Sequence, residues 1–132
     1  MTGVLLVDDA PLVLIGMQGM LNWAALGYEV VGTARNGAEA LRAVQEKQPD
    51  IVVSDIRMPV MDGLEATRRI RGMTREDARC IPIFALSANA FVDDIQRSLQ
   101  CGMNTHFNKP VDMDSICAAL HYWLEHDKGN RP

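Results

Sequence analysis

Residues 51–63 read IVVSDIRMPVMDG, an apolar run followed directly by one carboxylate, Asp55, and later by a second, Asp62. A short apolar run rich in β-branched residues predicts a strand that is buried on both faces. Asp62 precedes Gly63 and a helical pattern, which is typical of a helix N-cap. The stretch therefore predicts a strand, a loop and a helix, with Asp55 at the end of the strand.

The same alternation of strand and helix patterns extends along the chain in both directions. Strands are predicted at residues 3–7, 28–34, 50–54, 80–86 and 105–108. Helices are predicted at residues 11–22, 37–47, 63–71 and 89–100, with a last helix from 112 to 125. Asn36 and Asp112 are candidate N-caps. Five strands alternating with five helices predict an α/β domain with a doubly wound five-stranded parallel sheet flanked by the helices.

Length and composition indicate one ordinary soluble domain. The chain has 132 residues, 48% of them hydrophobic and 23% charged, with a net charge of -4, which disfavours direct nucleic-acid binding. We expect a domain at 1–126 and a polar tail, or the start of a linker, at 127–132. Three cysteines without CxxC spacing indicate reduced thiols. A basic cluster is interpreted as a solvated helix face and loop: Arg68, Arg69, Arg71, Arg75 and Arg79.

No charged residue lies between Asp9 and Glu29, a gap close to the length that spans a bilayer. The segment contains Pro11 and several glycines, and it lacks the basic leader of a signal peptide. We interpret it as a soluble helix followed by a turn, without a membrane segment, and expect a cytoplasmic protein.

The carboxyl ends of the predicted strands carry polar side chains. In open α/β sheets, binding sites form at these ends, so five groups are expected at one edge: Asp8, Asp9, Asp55, Ser87 and Lys109. Neighbouring carboxylates repel one another strongly, so either some are protonated or a cation lies between them. Mg²⁺ suits a site of few carboxylates. A metal, a lysine and a hydroxyl around a carboxylate favour phosphoryl transfer, with the carboxylate as nucleophile.

Four motifs carry a family resemblance: VDDAP (7–11), SDIRMPVMDG (54–63), ALSANA (85–90) and NKP (108–110). In order and separation they closely resemble the receiver domain of bacterial two-component response regulators, over about residues 3–125. The resemblance implies the flavodoxin-like (βα)5 receiver fold. The first half is similar to stand-alone regulators with DNA-binding output domains. The second half is more similar to receivers of hybrid sensor histidine kinases, and both contexts stay open.

The resemblance implies a role for each matching residue. Asp55 is expected to accept the phosphoryl group, while Asp8, Asp9 and the backbone carbonyl of Arg57 hold Mg²⁺. Ser87 and Lys109 are expected to contact the phosphoryl group. His106 occupies the position where the family often has a Tyr or Phe rotamer switch, and it is alternatively a surface histidine on an edge strand. Arg57 and Asn89 are expected to tune the phosphate lifetime, and the bond from Lys109 to Pro110 is expected to be cis.

The resemblance also implies partners. The phosphoryl donor is expected to be a sensor histidine kinase or a histidine phosphotransfer protein, and the output domain or target is unknown. Phosphorylation could drive dimerisation. The chain is not expected to be an enzyme beyond its own phosphorylation and dephosphorylation. The uncharged helix at 11–22 is either packed deeply or forms an apolar docking face for a partner helix.

Two other functions compete with this interpretation. A Mg²⁺-dependent aspartyl phosphatase needs a general acid two residues after its nucleophile, as DxD after the first strand, but residue 10 is alanine. A degenerate receiver would bind partners without phosphorylation. The complete set of acids, hydroxyl and lysine argues against the degenerate receiver.

Overall fold

The computed structural model describes residues 2–20, 22–58, 60–74, 80–87, 92–109 and 112–127. The strands are β1 (Thr2–Val7), β2 (Tyr28–Ala34), β3 (Ile51–Asp55), β4 (Ile83–Ser87) and β5 (Thr105–Asn108). The helices are α1 (Pro11–Met20), α2 (Gly37–Lys47), α3 (Gly63–Arg71), α4 (Val92–Gln100) and α5 (Met113–Asp127), with a short 3₁₀ helix at Ala24–Leu26. The strands form one parallel sheet in the order β2-β1-β3-β4-β5, so the predicted fold class is confirmed.

Helices cover both faces of the sheet because alternate strand residues point to opposite sides. Leu5 and Val7 pack in one cluster with side chains of α2 and α3, whereas Val4 and Leu6 pack with side chains of α1 and α5. All four strand residues are fully buried. This two-sided burial explains why the three central strands, β1, β3 and β4, consist mainly of apolar residues.

Several element ends differ from the sequence prediction. Helix α1 ends at Met20 instead of residue 22, where the Trp23 indole N–H donates to the carbonyls of Met17 and Gln18 at 3.2 Å each. Strand β4 begins at Ile83 instead of residue 80. Pro82 has no N–H to donate, but its carbonyl accepts the Val52 N–H at 2.9 Å.

The expected boundary between the domain, at 1–126, and the polar tail, at 127–132, stays a prediction. Residues 128–132 lie outside the described part of the chain.

The prediction of a solvated basic cluster is wrong for Arg71. Arg68 and Arg69 are exposed and pair with Glu65 at 3.1 Å each, but Arg71 points inward. Its guanidinium donates to the carbonyls of Ile81 and Gly102 at 2.7 and 2.6 Å, and to the Asn104 side chain at 2.9 Å. It therefore ties the end of α3 to the turn before β5. Arg75 and Arg79 lie outside the described residues.

No helix among the described residues is long and apolar enough to cross a membrane.

Candidate functional site

Three carboxylates meet at the carboxyl edge of the sheet. Asp8 and Asp9 follow β1, and Asp55 is the last residue of β3. Since β1 and β3 are parallel neighbours, with Val7 opposite Ser54, their ends lie side by side. One oxygen from each carboxylate falls within 4.8 Å of the others. Asp8 and Asp55 are buried, at 0% and 6% exposure, whereas Asp9 is exposed.

Lys109 brings the opposing charge from the far edge of the sheet. It follows β5, and its side chain reaches across to the carboxylates, with Nζ 2.7 Å from Asp8 Oδ2 and 3.4 Å from Asp55 Oδ2. The other oxygen of Asp8 accepts the Ala10 N–H at 3.0 Å. Both oxygens of Asp8 are thus engaged, and Lys109 links its carboxylate to that of Asp55.

The charges at this edge are not balanced. Burial, and then the Asp8 charge, raise the pKa of Asp55 from 3.8 to about 6, against the lowering effect of Lys109. The pKa of Lys109 is raised: burial opposes its charge, but Asp8 and Asp55 together outweigh that cost. Three acids and one lysine leave excess negative charge, and carboxylate oxygens are the ligands that a hard divalent cation prefers. The donor set therefore fits Mg²⁺.

Ser87 and His106 lie on the two strands beyond β3. Ser87 ends β4, is 3% exposed, and accepts the Lys109 backbone N–H on its carbonyl at 2.9 Å. His106 lies opposite Ala85 on β5, which is an edge strand, and is half-buried. The neighbouring Phe107 packs edge-on against Phe84, with ring centroids 5.7 Å apart. The partly buried ring of Phe107 therefore packs against the core.

Two further predicted residues border the site. Arg57 is exposed, two residues beyond Asp55, and the role of its carbonyl as a metal ligand stays a prediction. Asn89 lies outside the described residues. Pro110 lies outside them too, so the cis bond stays a prediction.

The loop between β3 and α3 is held at its C-terminal end by a cap and a close backbone approach. The Asp62 side chain accepts the Glu65 N–H at 2.8 Å, which confirms the predicted N-cap. Gly63 donates its N–H to the Ile56 carbonyl at 2.7 Å, and a Cβ at Gly63 would collide with the Asp55 carbonyl oxygen. Gly63 thus supports the backbone of Asp55, a role that sequence reasoning missed.

A second glycine holds the same loop from α2. Gly37 donates its N–H to the Met61 carbonyl at 2.7 Å, and a Cβ at Gly37 would lie 2.5 Å from that oxygen. Both glycines are the first residue of a helix and follow an N-cap residue, Asn36 or Asp62. Neither glycine has a positive φ, so its own backbone conformation does not require glycine. A glycine directly after an N-cap residue is therefore the sequence signal that could have identified both positions.

Comparison with known proteins gives a consistent result. The family model for the response regulator receiver domain matches residues 4–121. The chain is 32% identical over 117 residues to the uncharacterized transcriptional regulatory protein YesN of Bacillus subtilis, covering 89% of this chain and 31% of YesN. It is 36% identical over 130 residues to the sensor histidine kinase RcsC of Escherichia coli, covering 97% of this chain and 13% of RcsC. The chain thus spans less than a third of either relative.

Solved structures agree with these sequence matches. The receiver domain of sensor histidine kinase PA1611 from Pseudomonas aeruginosa, described with a magnesium ion coordinated in its active-site cleft, superposes with a TM-score of 0.79 at 36% identity. The match covers 94% of this chain and 98% of that one. A CheY-like receiver domain protein from Methanospirillum hungatei gives a TM-score of 0.85 at 20% identity, covering 98% of each chain, and supports the fold alone.

Proposed function

Because this chain belongs to the response regulator receiver domain family, we propose that Asp55 accepts a phosphoryl group from a phosphohistidine donor. A receiver domain of two-component systems is a signalling domain rather than a classical enzyme. The observation that carries the assignment to Asp55 is its position between Asp8, Asp9 and Lys109, at the end of β3. The donor is a sensor histidine kinase or a histidine phosphotransfer protein.

The proposed reaction is an in-line transfer. A carboxylate oxygen of Asp55 attacks phosphorus, an O–P bond forms, and the P–N bond breaks with its electron pair staying on the imidazole nitrogen. Lys109, already 3.4 Å from Asp55, is suited to hold a phosphoryl oxygen, and the Ser87 hydroxyl to donate to another. Attack by water on phosphorus later breaks the O–P bond, releases phosphate and restores Asp55. The domain would thereby promote its own phosphorylation and dephosphorylation.

Mg²⁺ is the cofactor that the donor set fits. Asp8, Asp9 and Asp55 would hold it through their clustered oxygens, together with the backbone carbonyl of Arg57. The PA1611 receiver domain has magnesium in its active-site cleft, which supports the same ion here. When bound, the ion supplies positive charge against the phosphoryl oxygens.

Phosphorylation is proposed to act as an electrostatic switch. It replaces the single negative charge of the Asp55 carboxylate with roughly the two negative charges of a phosphoryl group, which would draw Lys109 and the Ser87 hydroxyl toward it. Ser87 precedes the segment leading to α4, so this change would reach α4, β5 and α5 as a population shift. His106 on β5 lies in that path, and a phosphorylation-dependent dimer would use this altered face.

Lys109→Met is expected to separate phosphorylation from metal binding. We expect the rate of phosphorylation by acetyl phosphate to fall about 100-fold, since a cation at the transferring group is lost. We expect the affinity for Mg²⁺ to rise, because Lys109 no longer competes for Asp8 Oδ2. Radiolabelled acetyl phosphate measures the first quantity and isothermal titration calorimetry the second.

The matched control is Lys47→Met, which removes the same charge from the last turn of α2. Its rate and Mg²⁺ affinity should stay at the wild-type values. A Lys109→Met variant that is phosphorylated at the wild-type rate, or binds Mg²⁺ more weakly, would contradict the proposed role of this lysine.

Arg57→Ala is expected to change the lifetime of the aspartyl phosphate several-fold. Arg57 is exposed at the rim, two residues beyond Asp55, where its side chain can screen or orient an attacking water. Loss of label from purified phosphoprotein in excess unlabelled buffer gives the lifetime. An unchanged lifetime would remove Arg57 from the set of tuning residues and leave the acceptor assignment untouched. Asn89 is proposed for the same role.

The competing functions are separated by two simple assays. Turnover of small phosphoesters would favour the aspartyl phosphatase, but Ala10, two residues after Asp8, offers no general acid. A protein that responds to neither acetyl phosphate nor beryllofluoride would be a degenerate receiver.

A further inference from the structure

A groove of about 400 Å³ lies at the edge of the sheet opposite the carboxylates. Helix α1 runs away from the carboxylates and ends at Met20, and β2 starts at Tyr28 and runs back toward their edge. The groove lies between these two ends, and we call it the α1–β2 groove. It is lined by Gln18, Trp23, Ala24, Tyr28, Glu29 and Val30. None of these residues belongs to the site around Asp55, so the groove needs a separate explanation.

The inner wall of the α1–β2 groove is aromatic and firmly held. Trp23 and Tyr28 are only 7% and 6% exposed, and their rings meet edge-on with centroids 6.5 Å apart. The Trp23 indole N–H is fixed by the carbonyls of Met17 and Gln18, and Tyr28 also contacts the His121 ring of α5. The wall is therefore a preformed apolar surface, as binding sites usually have.

The charge around the α1–β2 groove is negative. Glu29 is exposed, and it makes no ion pair with any residue that the structure describes. The C-terminal end of a helix carries a partial negative charge that favours cations. Helices α2, α3 and α4 each have a basic residue in the last turn, whereas α1 has none. Aromatic rings also attract cations over their faces, so three features favour a positively charged ligand.

The shape of the groove narrows the choice of cation. An apolar wall beside one carboxylate fits a cation with an apolar stem, which packs on the wall while its charged end stays at the rim. Arginine suits both parts, because its planar guanidinium pairs with a carboxylate through two hydrogen bonds and packs against aromatic rings. The exposed residues Gln18, Ala24 and Leu26 leave one side open, so the arginine can be carried on the surface of another protein.

We propose that the α1–β2 groove binds an arginine side chain of a partner protein, with its stem against Trp23 and Val30 and its guanidinium on Glu29. This contact would lie at the opposite end of the domain from Asp55. It does not depend on the proposed function, because neither the metal nor the phosphoryl group takes part in it.

The test is an NMR titration of the isotope-labelled domain with the tripeptide acetyl-Gly-Arg-Gly-amide. The indole N–H of Trp23 and the backbone amides of Glu29 and Val30 should shift together and saturate, with a dissociation constant of about 1 to 5 mM. The matched probe has citrulline in place of arginine, which keeps the shape and removes the charge. Without the ion pair, it should bind at least about fivefold more weakly.

Two variants of the domain assign the contact. Glu29→Gln should weaken binding of the arginine tripeptide at least about fivefold, whereas Gln18→Glu, which adds a carboxylate at the rim, should strengthen it about threefold. The control Glu46→Gln makes the same change at an exposed acid of α2 and should bind as wild type does. The rate of phosphorylation by acetyl phosphate should stay at the wild-type value in all three variants.

Three results would overturn the proposal. The first is the absence of a saturable shift at Trp23, Glu29 and Val30. The second is equal binding of the arginine and citrulline tripeptides, or equal binding by wild type and Glu29→Gln. The third comes from spermidine, a small organic cation: if it shifts the same resonances and binds more tightly than the arginine tripeptide, the groove is a site for small cations and not for a protein side chain.

Discussion

Replacing Asp55 with asparagine is expected to abolish phosphoryl incorporation from acetyl phosphate and Mg²⁺. The amide has nearly the shape of the carboxylate but lacks a nucleophilic oxygen anion, so the acyl phosphate cannot form. It also removes one charge from the cluster of three carboxylates. Intact-protein mass spectrometry, which resolves the addition of one phosphoryl group, measures the effect. Incorporation at the wild-type level would exclude Asp55 as the acceptor.

Asp62→Asn is the control for Asp55→Asn, since it makes the same change at the other acid of the loop. Asp62 is exposed and caps α3, and asparagine is an equally good N-cap, so incorporation should persist.

Thermal unfolding at neutral pH and without metal would test whether the Asp55→Asn variant is folded. Because the pKa of Asp55 is raised to about 6, wild-type stability falls as pH rises from about 4 to about 6. The variant lacks this loss of stability, so its melting temperature at neutral pH should be higher than that of wild type.

Gly63→Ala is expected to lower the free energy of unfolding by about 3 kcal/mol, the upper end of the range for overpacking. The added Cβ would collide with the Asp55 carbonyl oxygen and lie 3.1 Å from the Cα of Ile56, so β3 and the start of α3 must separate. Because this shift moves the acceptor itself, the rate of phosphorylation by acetyl phosphate should fall with stability. Denaturant unfolding and radiolabel incorporation measure the two effects.

Gly72→Ala is the control for Gly63→Ala. Gly72 follows the same helix, and a Cβ there would meet its nearest neighbours at an ordinary 3.7 Å, so stability and phosphorylation should change little. A Gly63→Ala variant as stable and as readily phosphorylated as Gly72→Ala would show that the close approach is not needed to place Asp55.

The residues at the strand ends could be predicted because parallel strands bring their carboxyl ends to one edge of the sheet. The predicted C-terminal ends of β3 and β4 were each one residue short, since β3 includes Asp55 and β4 includes Ser87. Backbone pairing continues up to the site, where Ile56 donates to the Leu86 carbonyl at 3.0 Å and Lys109 to that of Ser87 at 2.9 Å. Local patterns cannot show such pairing, because its partners come from distant parts of the chain.

The sequence by itself determined the order of strands and helices, the acids at the end of β1 and β3, and the absence of charge in α1. The tertiary structure decided that Lys109 pairs with Asp8 across a separation of 101 residues, since such contacts depend on how whole elements pack. It also decided which side of α1 is buried. Periodicity cannot tell which side of a uniformly apolar helix is covered, whereas packing buries Leu14 and leaves Leu12 in solvent.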